Sequence, residues 1–122
     1  MRILIVEDDK NFSIVLRQEL EDAGHTVEHA VDGVEGVLRC IQETFDFVLL
    51  DIKMPKLDGI NALRIIKKVR PDLPAITYSG NAGSGEMAES LRAGAIRCFI
   101  KPFSIAQLRD EIERHFARHA GA

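Results

Sequence analysis

Five short apolar runs punctuate the chain, and each is followed by residues whose apolar members recur every three or four positions. A run of four to eight apolar residues suits a strand buried on both faces, and the three-to-four recurrence suits an amphipathic helix. The runs are "RILIV" (2–6), "DFVLL" (46–50), "LPAITYS" (73–79), "RCFI" (97–100) and the alternating "TVEHA" (26–30), which reads as a more exposed strand. Between and after them come Phe12, Val15, Leu16 and Leu20, stopped at Gly24, then Val34, Val37, Leu38 and Ile41. Next are Ile60, Leu63, Ile66 and Val69, ended by Pro71, and a weaker, polar stretch over 85–93 anchored by Met87, Ala88 and Leu91. The last stripe is Ile105, Leu108, Ile112 and Phe116, with Ser104 as its N-cap. Five strand–helix units in succession require a parallel α/β sheet, doubly wound by right-handed crossovers with helices on both faces.

At 122 residues this is one domain around one core, expected over 1–118, with 119–122 as a frayed C-terminal tail. Sixteen basic and nineteen acidic residues leave a net charge of -3, which argues against a nucleic-acid or membrane surface. Cys40 and Cys98 lie far apart without metal-ligand spacing, so both are read as small buried hydrophobes. No apolar run reaches membrane-spanning length and "MRILIVEDD" lacks a signal peptide's architecture, so a cytoplasmic location is expected.

The strand ends carry the chemistry. The first ends in Glu7-Asp8-Asp9, the third in Asp51, the fourth in Ser79-Gly80 and the fifth in Lys101-Pro102. All lie at the C-terminal edge of the sheet, where open α/β folds form their binding crevice. If Glu7, Asp8 and Asp51 converge, each close pair repels by roughly 4 kcal/mol at a separation of about 4 Å and an effective dielectric of about 20. One lysine does not offset three carboxylates. A hard divalent cation does, and all-oxygen ligands suit Mg2+. A carboxylate beside Mg2+ and an ammonium is placed to attack phosphorus, with a hydroxyl to hold a phosphoryl oxygen. Asp51, alone at the end of the most buried run, is the candidate nucleophile.

"ILIVEDD", "LLDIKMPKLDG", "ITYSG" and "CFIKPF", in that order and spacing, resemble the receiver domain of two-component response regulators of the chemotaxis-regulator type. The resemblance runs from Arg2 to about His115. It implies a flavodoxin-like sheet in strand order 2-1-3-4-5 and makes Asp51 the phospho-acceptor. It assigns Mg2+ to Glu7, Asp8, Asp51 and the backbone carbonyl of Lys53, with Asp8 direct and Glu7 through water. Ser79 matches the switch hydroxyl and Lys101 the phosphate-pairing lysine, and the Lys101-Pro102 bond is expected to be cis. Lys53 and Asn81 match positions that face the attacking water and tune the lifetime of the acyl phosphate. The implied partners are a sensor histidine kinase or phosphotransfer protein, an output protein or domain, and a second copy on phosphorylation. The face that changes would be the fourth helix, fifth strand and fifth helix. On this reading the chain is not an enzyme, beyond its own phosphorylation and dephosphorylation.

One position departs from the family. Its usual switch aromatic, three residues before the lysine, is here Cys98, and strand alternation turns the neighbouring Phe99 to the opposite face. Other acids have plainer roles: Asp9 caps the first helix, and Asp58-Gly59 is turn chemistry with glycine at positive φ. His25, His29, His115 and His119 are scattered, none at a strand end near the acids, and receive no role. A phosphohydrolase of the haloacid-dehalogenase type would need a second acid where Lys53 stands. A flavin carrier would need a hydroxyl-rich phosphate loop where "EDDKN" stands. A pseudo-receiver, binding partners without phosphorylation, is the alternative reading, disfavoured by the intact acids, hydroxyl and lysine.

Overall fold

The structure, a computed structural model, describes residues 1–80 and 84–119. Strands and helices alternate: β1 (Arg2–Val6), α1 (Lys10–Asp22), β2 (Thr26–Ala30), α2 (Gly33–Gln42), β3 (Phe47–Asp51) and α3 (Gly59–Val69), then β4 (Ala75–Ser79), α4 (Ser84–Arg92), β5 (Arg97–Ile100) and α5 (Ile105–His119). Every strand pairing is parallel, and the order is β2-β1-β3-β4-β5, the flavodoxin-like arrangement. The third strand begins one residue later than expected and takes in Asp51; the fourth begins at Ala75. Pro74 has no N–H to give the ladder, although its carbonyl still accepts from Val48 at 3.1 Å.

The period-2 pleat splits the strands between two cores. Leu4, Val6, Val48, Leu50 and Ala75 meet Cys40 of α2 and Ala62, Leu63 and Ile66 of α3. Ile3, Ile5, Phe47, Leu49 and Ile76 meet Leu16 and Leu20 of α1 and Leu108 and Ile112 of α5. Each such Leu or Ile side chain, removed from water, contributes about 1.5–3 kcal/mol. Cys40 and Cys98 are free and buried, and burial pushes the Cys40 thiol up to about 11, which suits packing rather than chemistry.

The stripe on α2 is turned inside out relative to its hydrophobicity. Val34, Leu38 and Ile41 are 44%, 49% and 48% exposed, while Gly36 and Cys40 face the sheet, Gly33 is buried against the Leu57 backbone and Val37 is half-buried. The cause is the closeness of helix and strand: a Cβ at Gly36 would stand 2.8 Å from Cγ2 of Val6. Only small residues fit that face, so the large ones point outward. Val15 and Val69 are likewise exposed. On α4, Leu91 is exposed, and Ser90 is the buried anchor, hydrogen-bonded to Thr77 of β4.

The helix ends follow their sequence signals. Asp9 caps α1 through the N–H groups of Asn11 and Phe12, Asp32 caps α2 through Glu35, and Asp58 caps α3 through Asn61. Ser104 and Gln107 exchange side-chain-to-backbone bonds at the start of α5, a capping box. Gly24, at φ +97°, ends α1 as expected. The strand order reverses between β1 and β3, so the connections leaving their C-terminal ends run to opposite faces of the sheet and a crevice opens between them.

Candidate functional site

Glu7, directly after β1, is fully buried; Asp8 beside it is exposed; Asp51, the last residue of β3, is buried. One carboxylate oxygen from each lies within 4.8 Å of the others, the convergence that the strand ends imply. Ser79 closes β4 and is buried, and Lys101 follows β5 across a cis bond to Pro102, as expected. The acid pair, Asp51, the Ser79 hydroxyl and Lys101 therefore share one edge of the sheet. Asn81 lies outside the described residues.

Hydrogen bonds hold the acids in place. Glu7 Oε2 accepts from the Asp9 N–H at 2.9 Å and Oε1 from the Tyr78 hydroxyl at 2.7 Å. Asp51 Oδ1 accepts from the Lys53 N–H at 3.1 Å. Lys101 Nζ sits 4.2 Å from the ring centroid of Phe12 and 5.8 Å from that of Tyr78, a cation over two aromatic faces. The side chain of Lys53 is turned away from the acids and pairs with Glu86 of α4 at 3.2 Å.

The electrostatics are those of a site short of positive charge. Burial pushes the Glu7 carboxyl up to about 7, against the pull of the Asp9 N–H and Tyr78 hydroxyl and with the repulsion of Asp51. Asp51 is raised by burial too, opposed by the Lys53 N–H, a hydrogen bond with Glu7 and the ammonium of Lys101. Tyr78 is raised well above its ordinary value by burial and the neighbouring Glu7. Three carboxylates at this spacing offer a hard, all-oxygen donor set, of the kind that suits hard divalent cations such as Mg2+.

Two expectations are corrected here. Gly59 is not at positive φ; the glycines that are, among the described residues, are Gly24 and Gly94. Its need is space: a Cβ there would stand 2.1 Å from the Asp51 carbonyl oxygen, and its N–H donates to Ile52 O at 2.9 Å. The start of α3 is thereby pressed onto the strand end that carries Asp51. Second, a histidine does approach the acids: His29 Nε2 lies 2.7 Å from the backbone oxygen of Glu7. The β1–β2 register sets Ile5 beside His29 and Val6 beside Ala30, which brings the ring to the edge.

Tyr78, Phe12 and Glu86 are neighbours of the site that motif spacing did not single out. For Tyr78 the signal was present, because a tyrosine inside a fully buried strand needs a partner for its hydroxyl. Phe12 and Glu86 carry no such signal; each stands in an ordinary helical position. Cys98 and Phe99 do face opposite sides of β5. Cys98 packs with Ile52 and Ile60, and Phe99 with the core that contains Tyr78.

Comparison with known proteins agrees with this architecture. The response regulator receiver domain family matches residues 3–113. The response regulator MprA of Mycobacterium ulcerans is 36% identical over 108 residues, 88% of this chain and 47% of that protein. The transcriptional regulatory protein ZraR of Salmonella typhimurium is 32% identical over 122 residues, 98% of this chain and 28% of that protein. The chain thus spans less than half the length of these curated relatives. Among solved structures, a CheY-like response regulator receiver domain protein from Methanospirillum hungatei superposes with a TM-score of 0.93. The two are 33% identical, over 98% of this chain and 96% of that one. The order of the strands, the acids, hydroxyl and lysine at their ends, and a family match over nearly the whole chain agree: this is a response regulator receiver domain of a two-component system.

Proposed function

We propose that this receiver domain is controlled by phosphorylation of Asp51, with Mg2+ held by Glu7, Asp8, Asp51 and the backbone carbonyl of Lys53. The observation that carries the reading is the meeting of the Glu7, Asp8 and Asp51 carboxylates within 4.8 Å of one another. In the transfer, a carboxylate oxygen of Asp51 forms a bond to phosphorus as the phosphorus–nitrogen bond of a phosphohistidine breaks, and the imidazole nitrogen keeps the electron pair. Mg2+, when bound, supplies charge neutralisation for the phosphoryl oxygens and the three acids.

The remaining work falls to the chain. The Lys53 N–H orients Asp51 through Oδ1. Lys101 reaches a phosphoryl oxygen by leaving the ring of Phe12, and the Ser79 hydroxyl donates to another. Phosphorylation adds close to two negative charges and three acceptor oxygens. These draw Ser79 and the segment after it toward Asp51, and α4 follows because Thr77 and Ser90 tie it to β4.

A sensor histidine kinase or phosphotransfer protein is the donor on this reading. The face formed by α4, β5 and α5 meets an output partner or a second copy. The chain catalyses nothing beyond its own phosphorylation and dephosphorylation. Among the described residues no helix is long and apolar enough to cross a membrane, which fits a cytoplasmic site of action. The test is labelling with a small phosphodonor such as phosphoramidate. Incorporation should require Mg2+ and vanish in Asp51→Asn; label persisting in that variant refutes the assignment, and none in the wild type favours a pseudo-receiver.

A further inference from the structure

Tyr78 is the chain's one tyrosine, and it lies wholly buried in β4, between Thr77 and the switch hydroxyl Ser79. Its ring packs with Phe12 at 5.3 Å and Phe103 at 5.8 Å between centroids, an apolar setting in which a hydroxyl needs a partner. That partner is Glu7 Oε1, at 2.7 Å. The other oxygen of Glu7 is taken by the Asp9 N–H, so two donors from separate parts of the chain fix the plane of this carboxylate. Tyr78 is also tied to the acceptor strand: its residue position pairs with Asp51 in the β3–β4 register, and its carbonyl accepts from the Ile52 N–H at 2.9 Å. One residue thus touches the acid pair through its side chain and the acceptor strand through its backbone.

We propose that Tyr78 is a positioning residue for the divalent cation: its hydroxyl holds Glu7 in the single orientation that lets Glu7 act with Asp8 and Asp51 on one ion. The inference rests on the metal-dependent reading above. A carboxylate held by two donors enters a metal site without first giving up rotational freedom, and it keeps lone pairs for the ion or for one of its waters. Removing the hydroxyl leaves the ring and its packing in place while Glu7 regains a rotamer. Loss of an outer partner of this kind costs about 10–100-fold in metal affinity.

The experiment is calorimetric titration of the wild type, Tyr78→Phe and Glu7→Gln with MgCl2 at constant pH, with melting temperatures measured in EDTA. The expected result is a dissociation constant about 10–100-fold weaker in Tyr78→Phe. A wild-type protein that binds no Mg2+ overturns the metal-dependent reading itself. Wild-type binding matched within twofold by Tyr78→Phe overturns only the role of Tyr78, and leaves it as core packing whose loss the melting temperature alone registers. A second readout needs no variant. With no tryptophan in the chain, Tyr78 dominates the intrinsic emission. Its emission should change on MgCl2 addition to the wild type, with the same midpoint as the calorimetry, because an ion drawing charge from Glu7 weakens that hydrogen bond. A saturated site with unchanged Tyr78 emission contradicts the proposal, even if Tyr78→Phe fails to fold.

Discussion

Lys53 Nζ lies 3.2 Å from Glu86 Oε2, an ion pair that bridges the loop after Asp51 and the first turn of α4. Both side chains are solvent-accessible, so the pair itself adds little to stability. A phosphoryl group on Asp51 would compete with Glu86 for the same ammonium. Glu86→Gln is therefore expected to shift the unfolding midpoint hardly at all, while Lys53 is freed to lie over the phosphoryl group and hinder water. The predicted effect is a longer phosphorylated lifetime, by up to about fivefold. Decay of the label after removal of donor measures it, and a shorter lifetime contradicts this role for Lys53.

Glu7 makes stability depend on pH in a stated direction. The Glu7 carboxyl is pushed from its ordinary 4.5 up to about 7, mainly by burial. The folded chain therefore holds a proton between about pH 4.5 and 7 that the unfolded chain has released. The stabilisation this supplies is fully present below the unfolded value and is lost as pH rises through 7, on the order of 3 kcal/mol. Urea midpoints in EDTA should fall over that window in the wild type and much less in Glu7→Gln. Mg2+ competes with the same proton, so its affinity should rise with pH up to about 7 and then level off.

Gly59→Ala tests the closeness of α3 to Asp51. The added Cβ meets the Asp51 carbonyl oxygen at 2.1 Å, and backbone cannot yield as a side-chain tip does. A loss of about 1–3 kcal/mol is expected from overpacking. Because the strand end must move, phosphoryl uptake should fall as well. Differential scanning calorimetry and labelling of the same sample separate the two effects.

Cys98 stands in a cluster with Ile52 and Ile60, backed by Met87 of α4 and Ala93. Placing the family's ring there, Cys98→Phe, overfills the space between β5 and α4 and should cost about 1–3 kcal/mol. Phe99 is held on the other face of the sheet, 5.4 Å from Phe103 between ring centroids. Crystals with and without beryllofluoride should differ at Ser79 and α4 while the Phe99 ring keeps its place. Identical conformations over 79–100 would end this version of the switch.

Much of this was legible in the sequence because it depends on period and order. Five apolar runs set the strands, and the residues at their ends set the site, since a parallel sheet brings every strand end to one edge. The inward face of α2 was not legible. Hydrophobicity points to Val34, Leu38 and Ile41, whereas the fit against Val6 admits only Gly36 and its small neighbours. Gly59 was misread for a related reason: a turn and a close approach both require glycine, and only coordinates separate them. His29 reaches Glu7 through strand register, which periodicity does not encode. Tyr78 was within reach, because its phenol in a fully buried strand posed a question that the motif for Ser79 left unanswered.

The most direct measurement of the central claim is chemical localisation of the phosphoryl group. Wild-type protein treated with phosphoramidate and MgCl2 is reduced with borohydride, which converts an aspartyl phosphate to homoserine, and its peptides are sequenced by mass. Homoserine at position 51, absent when EDTA replaces MgCl2, is the predicted result. Homoserine at another aspartate, or stable label with none formed, would contradict the account.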